Sequence, residues 1–115
     1  MNYLILEDNK SRISLFRSNL NTPGNLVVIC TNVADAKVWI QNKKFDTVFL
    51  DHDLDGRIFV PSEEPNTGYQ LAKWIAENKL DFNSIIIHSY NEQGAKRILE
   101  VLPQAKWVPF NFKEQ

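Results

Sequence analysis

Four short apolar runs with no polar alternation constrain this chain most. They are Tyr3, Leu4, Ile5 and Leu6; Leu26–Cys30; Thr47–Leu50; and Ser84–Ile87. A strand with one wet face alternates apolar and polar residues. An unbroken run suits a strand covered on both faces, as in a parallel sheet. Stretches with helical spacing separate the runs. Asn9 is a good N-cap ahead of Ile13, Phe16 and Leu20. Thr31 or Asn32 precedes Val33, Ala36 and Ile40, and Asn66 or Thr67 precedes Leu71, Ala72, Trp74 and Ile75. Asn91 precedes Ala95, Ile98, Leu99 and Leu102, which Pro103 stops. A last short strand is expected over 106–110, and 58–60 is read as a further short strand inside a long loop. The order βαβαβαβαβ with right-handed crossovers predicts one α/β domain over residues 1–115, an open parallel sheet with helices on both faces.

Every run ends in polar residues. Glu7 and Asp8 close the first; Asp51, His52, Asp53 and Asp55 close the third; His88, Ser89 and Asn91 close the fourth. In sheets of this kind ligands bind beyond the carboxyl ends of the strands. Glu7, Asp8 and Asp51 therefore form the expected metal site, and oxygen donors suit Mg²⁺ or Mn²⁺. The bland alternative is a set of solvated acids near helix N-termini. Like charges this close repel without a cation, which favours the metal.

His52 and His88 are the two histidines, and a histidine can give or take a proton near neutrality. If Asp51 and Ser89 are level on neighbouring strands, both histidines point to one side of the sheet, opposite Asp51. Their levels then differ by roughly 6.6 Å along the strand. For His88 a core role is as good a reading as a catalytic one. Ser89 and Asn91 can hold phosphate oxygens at a helix start, where Asn91 also suits a simple cap. Thr67 with Gly68 offers a second such start, against a cap and a close packing contact. Arg57 in the long loop can clamp a phosphate, although surface arginines are common.

The net charge of −1 gives no bulk drive toward nucleic acid or anionic membrane. The single cysteine, Cys30, excludes an intrachain disulfide and a Cys-rich zinc site. No apolar stretch is long enough to span a bilayer, and Met1 to Leu4 lacks the form of a signal peptide, so the cytoplasm is the expected compartment.

These strand-end residues resemble the receiver domain of two-component response regulators. Glu7 and Asp8 match its acidic pair, Asp51 its phospho-accepting aspartate, and Ser89 its Ser or Thr after the fourth strand. The resemblance implies a flavodoxin-like doubly wound sheet of order 2-1-3-4-5 and a divalent cation at the acids. Two features depart from it. Val108-Pro109 stands where receivers carry Lys-Pro, and too few residues follow for a fifth helix. Ordinary phosphorelay switching is therefore not expected.

Three further segments are similar to a receiver-like offshoot predicted to process cyclic phosphates. They are Asp51-His52-Asp53-Leu54; Thr67-Gly68-Tyr69 with Trp74; and His88-Ser89-Tyr90-Asn91 with Gly94. This resemblance implies a small metal-assisted phosphoesterase acting on a cyclic phosphate, such as a nucleotide 2′,3′-cyclic end. Its partner would be a phosphorylated small molecule or an RNA cyclic-phosphate end. Asp51, His52 and His88 would be catalytic, with Ser89, Asn91, Thr67 and Arg57 on the substrate. The alternative is a non-catalytic receiver-like module that binds a protein or a phosphorylated small molecule. The missing fifth helix also exposes Trp107, Phe110 and Phe112, so a symmetric homodimer is expected to cover them, the alternative being that the long loop or the tail folds back over them.

Overall fold

The computed structural model describes residues 1–54, 57 and 59–112. Its elements follow in chain order: β1 (Asn2–Leu6), α1 (Lys10–Leu20), β2 (Leu26–Cys30), α2 (Val33–Asn42), β3 (Thr47–Leu50), α3 (Gly68–Glu77), β4 (Ser84–Ile87), α4 (Glu92–Val101) and β5 (Lys106–Trp107). The strands make one parallel sheet of order β2-β1-β3-β4-β5. It is the expected flavodoxin-like topology, with four helices among the described residues.

Each helix begins where a side-chain oxygen meets its first free N–H groups. Asn9, Asn32, Thr67 and Asn91 are the caps, accepting from Arg12, Asp35, Gln70 and Gly94 respectively. The last strand is shorter than expected. Regular pairing covers Lys106 and Trp107, while Val108 N and Phe110 N still donate to Ile87 O (2.9 Å) and His88 O (3.0 Å) beyond it. Phe59 and Val60 are not in a strand, and Asp55, Gly56 and Ile58 lie outside the described residues.

Strand parity divides the core. Leu4, Leu6, Val48, Leu50, Ile85 and Ile87 face α2, α3 and α4 in the larger cluster. Ile5 and Phe49 face the other way and pack with Phe16 of α1. Among the described residues no fifth helix covers that second face. The tail crosses it instead, with the Phe110 and Phe112 rings each 5.3 Å from Phe16. Phe16 is left 1% exposed. The fold-back alternative therefore describes this face, and burying it needs no second chain. No helix among the described residues is long and apolar enough to cross a membrane.

Phe16 joins α1, β3 and the tail through ring contacts to Phe49, Phe110 and Phe112. Phe16→Ala should cost about 3–5 kcal/mol in urea denaturation. A loss below about 1 kcal/mol would show that this second core is not formed.

Candidate metal centre at the carboxyl edge

The register of three strands builds the site. Leu6 is paired with Leu50, and Leu50 with Ile87. The ladder runs one step further, with Asp51 N donating to Leu6 O (3.1 Å) and His88 N donating to Leu50 O (3.0 Å). Glu7, Asp51 and His88 are therefore level with one another. They also share the parity of Ile5, Phe49 and Ile86, so all three point to the α1 face. Each offers a ligand atom within 4.8 Å of the others. All three are buried.

This register corrects the expected geometry of the histidines. Asp51 is level with His88, not with Ser89. A slip of one residue turns a side chain to the other face. His88 lies on the side of Asp51, its ring against Phe16, Phe49 and Phe110. His52 lies on the opposite side under α4, where a Cβ on Gly94 would come within 2.4 Å of its ring. The two do not form a pair across one substrate.

Charge inside the cluster is balanced by Arg12, which the sequence reading missed. Its Nε lies 2.8 Å from Glu7 Oε1, and its Nη2 lies 3.5 Å from Asp51 Oδ2. The only signal was a basic residue in the first turn after a cap, which is commonplace. Glu7 Oε2 accepts from the backbone N–H groups of Asp8 and Asn9, both at 3.0 Å. His88 Nε2 lies 2.9 Å from Glu7 Oε1. Burial pushes the Glu7 carboxyl up, but these partners outweigh it and hold it below its usual value. Burial lowers His88 and leaves it neutral, so its Nε2–H donates to Glu7. Its Nδ1 is buried with no hydrogen-bond partner among the described residues. For Asp51, burial and then the Glu7 charge push the carboxyl up to about 8, against the pull of Arg12.

The other expected residues are distributed around this centre. Asp8 is half-buried next to Glu7 and lies outside the cluster of converging ligand atoms. Ser89 is buried in the turn, its Oγ accepting from Asn91 N (3.0 Å) and its carbonyl from Trp107 Nε1 (2.9 Å). Asn91 caps α4 through Oδ1, and its Nδ2 lies 3.1 Å from Asp53 Oδ1. Thr67 is a fully buried cap for α3. Next to it, a Cβ on Gly68 would come within 1.9 Å of the Asp51 carbonyl oxygen, so only glycine lets α3 approach β3 this closely. Arg57 is half-exposed and paired with Glu64 in the loop. Ser62, also missed, lies 2.8 Å from His52 Nε2 through its Oγ. Pro61-Ser62 in a loop carries no sequence signal for that contact.

A five-stranded 2-1-3-4-5 sheet with acids beyond β1 and β3 defines a receiver-like domain. Solved receivers share the fold. Response regulator TrrA from Thermotoga maritima, in complex with Mg²⁺-BeF, superposes with a TM-score of 0.73 at 20% identity, covering 97% of this chain and 88% of its own. The Mn²⁺-bound form of response regulator Rcp1 gives 0.66 at 16% identity, covering 93% and 79%. The signal receiver domain of a putative Luxo repressor protein from Vibrio parahaemolyticus gives 0.71 at 19%, covering 96% and 79%. No curated protein matches the chain. The family pattern of the cyclic-phosphate processing receiver domain matches residues 3–104, and the chain belongs to that family.

The raised Asp51 value has a consequence for stability. Folding favours the protonated carboxyl, so the stabilisation is full below the ordinary value of 3.8 and is lost as pH rises through about 8. In EDTA, the wild type should lose stability over that window relative to Asp51→Asn, which cannot ionise. At pH 8 the variant should be more stable by about 1–3 kcal/mol in urea denaturation. A constant difference between the two from pH 4 to pH 8 would contradict the buried, raised carboxyl.

Proposed function

We propose that this domain is a small metal-assisted phosphoesterase acting on a cyclic phosphate. The observation that carries the reading is the convergence of Glu7, Asp51 and His88 within 4.8 Å, in a chain of the cyclic-phosphate processing family. Two carboxylates and an imidazole suit a divalent cation, and the nitrogen donor weights the choice toward Mn²⁺ over Mg²⁺. The unpartnered His88 Nδ1 supports the fit, because the ring can carry its proton there and free Nε2 for a ligand bond. A bound cation would polarise a phosphoryl oxygen or activate water.

The chain's own residues would do the rest. Asp51 holds its proton near neutral pH and would release it on taking a cation, so affinity should rise with pH toward 8. Arg12 is a quarter exposed and is the cluster's side chain nearest to solvent. Displaced from the carboxylates, its planar fork can take two phosphate oxygens. His52 faces the other side of the sheet, so proton transfer at this centre would fall to water. The non-catalytic module remains the second reading, and Arg12 favours it by giving both acids a partner without a metal.

A panel of 2′,3′- and 3′,5′-cyclic nucleotides, assayed with Mn²⁺ and with EDTA, tests the proposal. Metal-dependent turnover is expected, with Glu7→Gln and Asp51→Asn each lowering it about 100-fold or more. Calorimetry should show Mn²⁺ binding that tightens from pH 6 to pH 8 and disappears in Asp51→Asn. Binding without turnover would leave the module reading, and no binding would remove the metal centre.

A further inference from the structure

On the α4 side of the sheet, facing away from Glu7, Asp51 and His88, three side chains stand in line. Asp53 Oδ1 lies 2.8 Å from His52 Nδ1, and His52 Nε2 lies 2.8 Å from Ser62 Oγ. The Asp53 carboxylate also accepts from Asn91 Nδ2 at 3.1 Å and from the backbone N–H groups of Phe59 and Val60, both at 2.9 Å. So many donors keep it ionised and fixed. An ionised acceptor at Nδ1 requires the imidazole proton to sit there, which leaves the Nε2 lone pair facing the Ser62 hydroxyl. A serine hydroxyl in this arrangement can pass its proton to the imidazole as it attacks an electrophile.

The line ends at a space large enough for a substrate. Ser62 and His52 both line a cavity of about 790 Å³ between the 59–63 loop and the start of α4. Phe59, Val60 and Pro61 give it an apolar wall. Its charged residues neutralise one another, with Lys96 Nζ 3.0 Å from Glu92 and Arg97 Nη1 3.5 Å from Glu63. Among the described residues no surplus cation lines the cavity for a phosphate dianion, so it suits a neutral ester. Phe59 is held at φ 53° and is 71% exposed on this loop. A non-glycine residue in that region is strained, and such strain gathers at functional loops.

We propose that Ser62, His52 and Asp53 form a second reactive site, a serine-hydrolase relay for neutral carboxylic esters with a small apolar acyl group. Ser62 Oγ bonds to the carbonyl carbon while its proton moves to His52 Nε2. The tetrahedral oxyanion collapses, and the C–O bond to the alcohol breaks. The departing alkoxide takes the proton from His52, leaving acyl-Ser62 and neutral imidazole. Water then attacks the acyl carbon and gives a proton to His52, and Ser62 Oγ leaves with that proton to release the acid. Glu92 and Gln93, the first residues of α4, line the same cavity, and their N–H groups, unlike that of Gly94, which Asn91 Oδ1 takes, would be the donors to the oxyanion. The site needs no metal and is independent of the phosphoesterase proposed at the other face.

The test uses the whole chain in EDTA, treated with a neutral alkyl fluorophosphonate. Ser62 Oγ should displace fluoride and give a single adduct by intact mass, mapped to Ser62 by peptide sequencing. Ser62→Ala should give none, and Asp53→Asn should slow labelling about 100-fold or more. Hydrolysis of p-nitrophenyl acetate should fall in parallel. An unlabelled wild type, or an adduct on another residue, would overturn the site. Labelling of Ser62 at a rate indifferent to Asp53→Asn and His52→Gln would mark an ordinary hydroxyl and overturn the relay. Because EDTA is present throughout, neither outcome bears on the metal centre.

Discussion

The site depends on the parallel register of β1, β3 and β4 and its one-step continuation past the strand ends. Backbone hydrogen bonds from Asp51 to Leu6 and from His88 to Leu50 keep the three chains in step as apolar residues give way to polar ones. Side chains alternate along a strand. The same bonds therefore send Glu7, Asp51 and His88 to the α1 face and His52 to the α4 face. A change of one residue at any of the three strands would scatter the cluster. Its geometry belongs to the sheet and not to a flexible loop.

Two glycines let the helices close on that edge. Gly68 allows the start of α3 to lie on the Asp51 carbonyl, and its N–H bonds to His52 O at 3.0 Å. Gly94 allows the start of α4 to lie on the His52 ring. The Thr-Gly and Asn-to-Gly segments therefore meet at residues 51 and 52 because backbone must pass where no Cβ fits. The caps Thr67 and Asn91 share the work, each ending a loop and starting a helix within reach of the same pair of residues. A sequence motif spread from Asp51 to Gly94 is in this sense one packing contact.

Burying two acids together is costly unless something offsets the charge. Here the offset is divided. Arg12 and two backbone N–H groups hold Glu7 ionised, while Asp51 keeps its proton to about pH 8. The centre is thus near neutral without a cation and can become more acidic when one binds. That state explains how two buried acids persist side by side in the fold.

The fold was legible in sequence because its cause is local. Unbroken apolar runs demand a sheet covered on both faces, and Asn9, Thr67 and Asn91 each start a helix by their own side chains. Asp51 and Glu7 were legible as a pair because both stand just past a strand. The sequence could not place His88 beside them or part His52 from them. Face depends on register, and register is a relation between strands far apart in the chain. Arg12 and Ser62 were invisible for the same reason, since each acquires its partner only when β1 meets β3 or the long loop returns to His52. The cover over Phe16 likewise had several solutions in sequence, a second chain, the long loop or the tail, and Phe110 and Phe112 of the tail supply it. The sequence by itself determined the elements, their order and the strand ends that carry chemistry. Tertiary structure alone decided which of those groups share a face, because that depends on hydrogen-bond register and close backbone approach.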